Sequence, residues 1–273
     1  MAISAADVKK LRETTGAGMM DCKKALGETN GDFEAAIDYL RKKGQKVAAK
    51  RADRDATEGA VIALSDGAKG VVVYLTSETD FVSKNEDFVK FAKDITGVAL
   101  ANFPDDKETL EGLDLNGKKI SEHILEYVGK IGEKIEIKTY ERFESDLVVP
   151  YIHAGNKIGV LVGLNKASDT ISDAGKDIAM QIAALNAVAL SAEEVPQETI
   201  DREMAIGREK ALAEGKPANI VDKIAEGTLR KFYEENTLLK QKFVKDSSKN
   251  IEQFVKSIDP DLEITGFKRV SLG

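Results

Sequence analysis

From Ile3 to Gly44 the apolar positions recur at helical spacing: Val8 and Leu11, then Met19, Met20, Cys22 and Leu26, then Phe33, Ile37 and Leu40. Gly16-Ala17-Gly18 and Asn30-Gly31 interrupt that pattern as turns would. The spacing predicts three short helices packed as a small bundle. Between Gln45 and Gly59 Lys, Arg and Asp dominate and large apolar groups are sparse, so a solvated linker, helical in part, is expected. The period then changes. Ala60-Val61-Ile62-Ala63-Leu64 and Gly70-Val71-Val72-Val73-Tyr74-Leu75 are β-branched runs flanking Ser65-Asp66-Gly67, the signature of a hairpin. Phe88, Phe91, Ile95, Val98 and Leu100 return to helical spacing and would cover one face of that sheet.

A weak internal repeat follows. Lys157-Ile158-Gly159-Val160-Leu161-Val162 is similar to the strand at Gly70, and the helix after it carries Lys176-Asp177-Ile178, an echo of Lys93-Asp94-Ile95. Two similar α/β halves are therefore expected, giving an α+β protein. From Val195 to Phe232 two charged helices surround Glu214-Gly215-Lys216-Pro217, with Ile200, Met204 and Ala211 on one arm and Val221, Ile224, Thr228 and Phe232 on the other. Their narrow apolar seam predicts an antiparallel helical hairpin standing out as an arm. Phe243-Val244, a last helix through Ile251, Phe254 and Val255, and Ile264-Thr265-Gly266-Phe267 complete the chain.

Length and composition narrow the function. With 273 residues the chain fits two or three units of ordinary size, and 42% hydrophobic with 32% charged residues is enough to fold a core under a highly charged surface. A net charge of −7 argues against a protein that coats nucleic acid. Cys22 is the only cysteine and His123 and His153 the only histidines, so an internal disulfide is excluded and a His/Cys zinc site nearly so. The start, Met1-Ala2-Ile3-Ser4, has no signal-peptide character, and no stretch approaches the about 20 apolar residues of a membrane span. A cytosolic protein is expected, with no cofactor and no metal of its own.

Chemical motifs are few. Gly112 to Lys119 matches a phosphate-loop spacing, but Lys119 stands where a Ser or Thr must ligate Mg2+, and Leu113 and Leu115 do not suit a loop open to phosphate. Thr15-Gly16-Ala17-Gly18 has part of a dinucleotide fingerprint, yet Asp21 occupies the place of the third glycine and no strand precedes it. Nothing marks a hydrolase triad. In Glu78-Thr79-Asp80-Phe81-Val82-Ser83-Lys84-Asn85 an aromatic ring sits among polar residues between a strand and a helix. Composition favours Phe81 folded inward as a staple with Thr79 or Asp80 as helix cap; the alternative is an exposed binding anchor. Adjacent Met19 and Met20 cannot both face one core, and an exposed Met suits an adaptable contact surface.

Leu11-Arg12-Glu13, Thr15-Gly16-Ala17-Gly18-Met19-Met20-Asp21-Cys22-Lys23-Lys24-Ala25-Leu26 and Asn30-Gly31-Asp32 closely resemble the N-terminal signature of the bacterial elongation factor Ts family. The resemblance continues through Thr79-Asp80-Phe81-Val82, Lys130-Ile131-Gly132-Glu133, His153, Lys157-Ile158-Gly159, Gly215-Lys216-Pro217 and Phe243-Val244. It implies a guanine-nucleotide exchange factor, not an enzyme, whose partner is elongation factor Tu in its GDP-bound and nucleotide-free forms. It implies a ubiquitin-associated-like helical domain at 1–45, a linker at 46–59, core subdomains at 60–140 and 141–273, and a coiled-coil arm inserted at about 195–235. By the same resemblance Thr79, Asp80, Phe81 and Val82 dislocate Mg2+ from the partner's nucleotide site, and Arg12, Met19, Met20, His153 and Val244 contact the partner. A further C-terminal helical module found in some members is not expected after Lys268-Arg269-Val270. A homodimer or higher complex through the arm stays open, and neither nucleic acid nor membrane is expected as a partner. The competing reading is a non-catalytic binding module or ribosome-associated scaffold.

Overall fold

Ser4 opens the first helix with a reciprocal cap: its hydroxyl receives the Asp7 N–H while the Asp7 carboxylate receives the Ser4 N–H. A computed structural model describes residues 3–153 and 155–272. Met1, Ala2 and Gly273, on which the expectations for the two chain ends partly rest, lie outside the described residues. Helix α1 (Ala5–Thr15) stops at Gly16, whose φ of +65° lets its N–H reach the Arg12 carbonyl. The segment with part of a dinucleotide fingerprint is thus a helix–helix turn. Helices α2 (Met19–Glu28) and α3 (Phe33–Arg51) complete the unit around Leu11, Cys22, Leu26 and Ala36.

The third helix is longer than the spacing suggests: it runs 19 residues to Arg51, so the helical part expected of the linker is residues 45–51, and residues 52–57 connect it to the next strand. Lys, Arg, Gln and Ala are good helix formers, and a run of them that lacks an apolar stripe looks like a linker while favouring helix.

Strands β1 (Glu58–Ser65) and β2 (Lys69–Ser77) form the expected antiparallel hairpin, with Glu58 opposite Ser77 and Ser65 opposite Gly70. After it come α4 (Asp80–Ser83), α5 (Glu86–Asn102) and α6 (Lys107–Gly112), the last two capped by the Asn85 and Asp106 side chains. Strands β3 (Asp114–Leu115) and β4 (Lys118–Lys119) are joined by Asn116 and Gly117, both at positive φ, as a tight hairpin demands. The Gly112 segment thus runs into a tight hairpin, and the Lys118 ammonium bonds Glu126 at 2.5 Å. Helix α7 (Ile120–Ile131) leads to β5 (Ile137–Glu144), which pairs with β2 and closes the order β1-β2-β5. A division at residue 140 would cut this strand, so the boundary expected there belongs after Glu144.

The remainder comprises β6 (Leu147–Ile152), β7 (Ile158–Leu164), α8 (Asp169–Leu185), α9 (Gln197–Ala213), α10 (Ala218–Asn236), β8 (Lys242–Phe243), β9 (Asp246–Asn250), α11 (Ile251–Ile258) and β10 (Ile264–Ser271). Its main sheet has the order β10-β7-β6, again antiparallel. The two three-stranded sheets pack on each other through Val61, Val72, Tyr74, Val148, Leu161 and Val270. Their other faces are covered by α5 and α8, each 17 residues long, on which Ile95 and Ile178 are fully buried. The two echoing sequence triplets lie on these helices. Within the helical hairpin the seam is made of small residues: a Cβ on Gly207 would lie 2.9 Å from the Ala225 Cα, and Ala211, Val221 and Ala225 are buried.

The helical unit meets the core where α3 crosses α7. A Cβ on Gly44 would stand 2.7 Å from the Leu125 carbonyl oxygen, and one on Gly129 would stand 3.1 Å from the Gly44 Cα. A glycine inside a helix costs about 1 kcal/mol relative to alanine, so Gly44 looks like a helix terminator in sequence. Here the loss is offset by backbone-to-backbone packing. Gly44→Ala should therefore lower stability by about 1–3 kcal/mol despite the better helix propensity of alanine. Gly97→Ala in α5, where nothing lies within 4 Å of an added methyl, should raise it by about 0.5–1 kcal/mol. Urea midpoints of the two variants would check both signs, and stabilisation by both would refute the tight crossing.

Candidate functional site

Strand β2 is buried almost throughout and releases the chain at Ser77 into the short segment that carries Phe81. What happens next is set from 54 and 55 residues away. Glu133, between α7 and β5, takes the N–H groups of Glu78 and Thr79 on one oxygen, each at 3.1 Å, and the Thr79 hydroxyl on the other at 2.7 Å. Glu78 answers in the opposite direction: its carboxylate accepts the Lys134 N–H at 2.6 Å, and both its oxygens lie 2.8 Å from Nη1 of Arg51, the last residue of α3. Each acidic side chain thus binds the backbone of the other's segment.

With its hydroxyl engaged by Glu133, Thr79 makes no side-chain cap to α4. Val82 takes the inward position, packed on the cluster beneath β1 and β2, and the adjacent Phe81 is turned out with 85% of its surface exposed. The inward staple favoured by composition is overturned, because one helical turn of four residues offers a single inward place and Val82 fills it. Asp80 is half-buried and bonds Lys84 at 2.6 Å; that hydrogen bond and charge hold its carboxyl below the ordinary carboxylate range.

Arg12, Met19 and Met20 come together. They line a groove of about 960 Å³ with Ile3, Val8 and Lys23, and Lys130 of α7 closes it from the core side. Met19 is 59% exposed and Met20 73%. The reason lies in α2: Cys22, Ala25 and Leu26 occupy its inward face, leaving both methionines at its first turn outside. Lys9, Arg12, Lys23 and Lys130 against Glu13 give the apolar floor a cationic rim.

His153 sits on the exposed turn between β6 and β7, its Nδ1 3.1 Å from the Tyr151 hydroxyl. That turn is tied to β1 by the Val61 N–H, which donates to the Asn156 carbonyl at 2.8 Å. Val61 is three residues along β1 from Glu58, the partner of Ser77, so about 10 Å of strand separates the two turns. Val244 belongs to a different part of the surface. It is exposed after β8, and its N–H donates to the fully buried Gln181 at 2.9 Å. Among the described residues no three His, Cys, Asp or Glu side chains converge as a metal site would require, and no helix is long and apolar enough to cross a membrane.

Sequence reading missed Arg51, Glu78, Glu133 and Lys130 as parts of these sites. Glu133 stands within a run that carries the family resemblance, but its hydrogen-bond partners are visible only in the fold.

A family model described as elongation factor TS matches residues 78–273. The elongation factor Ts of Christiangramia forsetii is 51% identical over 99% of each chain, and that of Flavobacterium psychrophilum is 51% identical over the same shares. The elongation factor Ts of Amoebophilus asiaticus is 49% identical over the whole of both chains.

Glu78 carries a pH signature. Burial pushes the Glu78 carboxyl up, but the Lys134 N–H and the Arg51 guanidinium outweigh it and hold the group below its ordinary 4.5. A group depressed in the folded state stabilises fully above its unfolded value and loses that contribution as pH falls through the folded one. Glu78→Gln should therefore cost about 1–3 kcal/mol near neutral pH. That gap should narrow as the pH drops below 4.5. Denaturation curves of wild type and variant across this range test it, and a gap independent of pH would count against an ionised Glu78.

Proposed function

The chain belongs to the elongation factor Ts family, and on that premise we propose that it is a guanine-nucleotide exchange factor for elongation factor Tu. It binds the GDP complex, dislocates Mg2+ and speeds GDP release, so that GTP can rebind during translation elongation. The observation that carries this reading is the Phe81 ring, 85% exposed on a turn anchored from beneath. An aromatic side chain held in water with its supporting backbone fixed is what an interface anchor requires.

The chemistry asks little more of this chain. Mg2+ needs near-ideal octahedral ligation at about 2.0–2.1 Å, so a ring driven against its surroundings need move the ligands only slightly to dislodge it. Phe81 supplies the ring, Thr79 and Val82 hold the turn, and the Asp80 carboxylate enters with it. No bond in this chain is made or broken, and the chain needs no cofactor, so it is not an enzyme in the usual sense. Exchange follows from linkage: the factor binds nucleotide-free partner more tightly than nucleotide-bound partner, and nucleotide in turn expels the factor.

Breadth comes from the other contact areas. Arg12, Met19 and Met20 would take the partner's GTPase domain into the groove, where methionine adapts to an imperfect fit. His153 and Val244 would add contacts from the core. In this division of labour, the helical unit that ends at Arg51 acts as a ubiquitin-associated-like unit, 52–57 as its connection, the segments on either side of the boundary after Glu144 as core halves, and the hairpin at about 195–235 as a coiled-coil arm open to a second copy. The setting is the cytoplasm, where translation occurs.

The test is release of fluorescent GDP from elongation factor Tu of the same organism. Wild type should accelerate it, and Phe81→Ala should lower the maximal rate by about tenfold to a hundredfold, the equivalent of roughly 1.5–3 kcal/mol of lost burial. Because the ring is exposed in the free protein, the variant's melting temperature should stay within error of wild type. Acceleration untouched by the substitution would remove Phe81 from the mechanism, and no acceleration by wild type would end the exchange reading.

A further inference from the structure

The turn that carries Phe81 cannot hold itself. Four residues of helix are far below the length at which helical hydrogen bonds repay nucleation. Two things outside it fix its place: the inward packing of Val82, and the Glu133 carboxylate on two backbone N–H groups and one hydroxyl at the turn's entry. The second tie is reinforced twice. Glu78 bonds the backbone of Lys134, adjacent to Glu133, and Lys134 Nζ bonds the Ala52 carbonyl at 3.0 Å, just past the end of α3. Arg51 joins the same network from the last turn of α3.

A continuous path therefore runs through the molecule. Helix α3 packs on α2, which presents Met19 and Met20; it crosses α7 in backbone contact at Gly44, and its last residue ties to the entry of the Phe81 turn. We propose that Glu133, backed by Glu78 and Arg51, is a positioning residue for exchange: it fixes Phe81 relative to the groove at Met19 and Met20, so that docking at the groove delivers the ring already in place. This rests on the exchange reading given above. Glu133 itself need not touch the partner. A turn freed from it would still reach the partner, but would order only on arrival, lowering the rate of the step that Phe81 drives more than the affinity of docking.

The chain contains no tryptophan, so Phe81→Trp places a sole indole reporter at the turn. In the free protein, Glu133→Ala in that background should lower the indole's anisotropy and raise hydrogen exchange across residues 78–84. With Phe81 native, Glu133→Ala should cut the maximal GDP-release rate about tenfold, while the concentration of factor giving half that rate changes by less than about twofold. Glu133→Gln, which keeps the shape and one acceptor oxygen, should fall between Ala and wild type, and it serves in place of Ala if that variant does not fold. Unchanged anisotropy and rate in a folded variant would overturn the proposal, and so would a half-saturating concentration that rises as much as the rate falls, since that marks general loss of binding. If wild type itself fails to accelerate release, the exchange reading falls and the positioning role with it. Anisotropy of the free protein would then still decide whether Glu133 holds the turn.

Discussion

Where α3 crosses α7 the two helices meet at backbone distance, and that contact decides where the helical unit stands on the core. Helices that cross through ordinary side chains lie 8–10 Å apart or so and tolerate repacking. A crossing built on Gly44 and Gly129 admits no such slack, because any added atom meets a carbonyl or a Cα. The groove inherits this constraint, since its core-side wall is Lys130, next to Gly129 in the chain. So does the Phe81 turn, because Arg51 lies two helical turns beyond Gly44 on the same helix.

The exposed side chains make sense only on such a frame. Phe81, Met19 and Met20 forgo burial that a core would reward with roughly 1.5–3 kcal/mol each, and nothing in the isolated chain compensates locally. Stability is supplied elsewhere, by the two-sheet core and the helices α5 and α8 that cover it. Buried carboxylates are a weak source of stability in general, since desolvation offsets much of their attraction. The Glu78 and Glu133 pair has a different merit: it satisfies backbone N–H groups that would otherwise be left open where the chain leaves a buried strand.

Local patterns in the sequence carried much of this architecture. The hairpin of β1 and β2 follows from β-branched runs about Asp66-Gly67, and the helical hairpin from two charged helices about Gly215-Lys216-Pro217. Adjacent methionines announced that at least one of them faces outward. Other features were illegible for identifiable reasons. The length of α3 was hidden because a glycine, Gly44, precedes its last two turns and these lack an apolar stripe. In the seam of the arm, Ala211 and Val221 were legible, but Gly207 and Ala225 escaped because they are small and pattern reading looks for large apolar groups. The direction of Phe81 was misjudged from composition because the choice between Phe81 and Val82 is made by packing and by Glu133, more than 50 residues on.

Charge adds a last constraint on how the two contact areas cooperate. The chain as a whole is acidic, with a net charge of −7, yet four cations and a single acid rim the groove at Met19 and Met20. Long-range approach is governed by net charge and falls off beyond about 8–10 Å in physiological salt, whereas the groove acts within that distance. A partner surface that suits the groove must therefore be locally acidic around an apolar centre, and a partner acidic overall gains nothing from long-range attraction. On the proposed reading the groove selects at close range, and the rigid path through α3 converts that selection into the placement of Phe81. Affinity concentrated at the anchor alone would make the factor hard for nucleotide to expel. On the proposed reading, affinity divided between a groove remote from the nucleotide and a ring competing with Mg2+ would let nucleotide undo only the second contact, which is enough to weaken the whole.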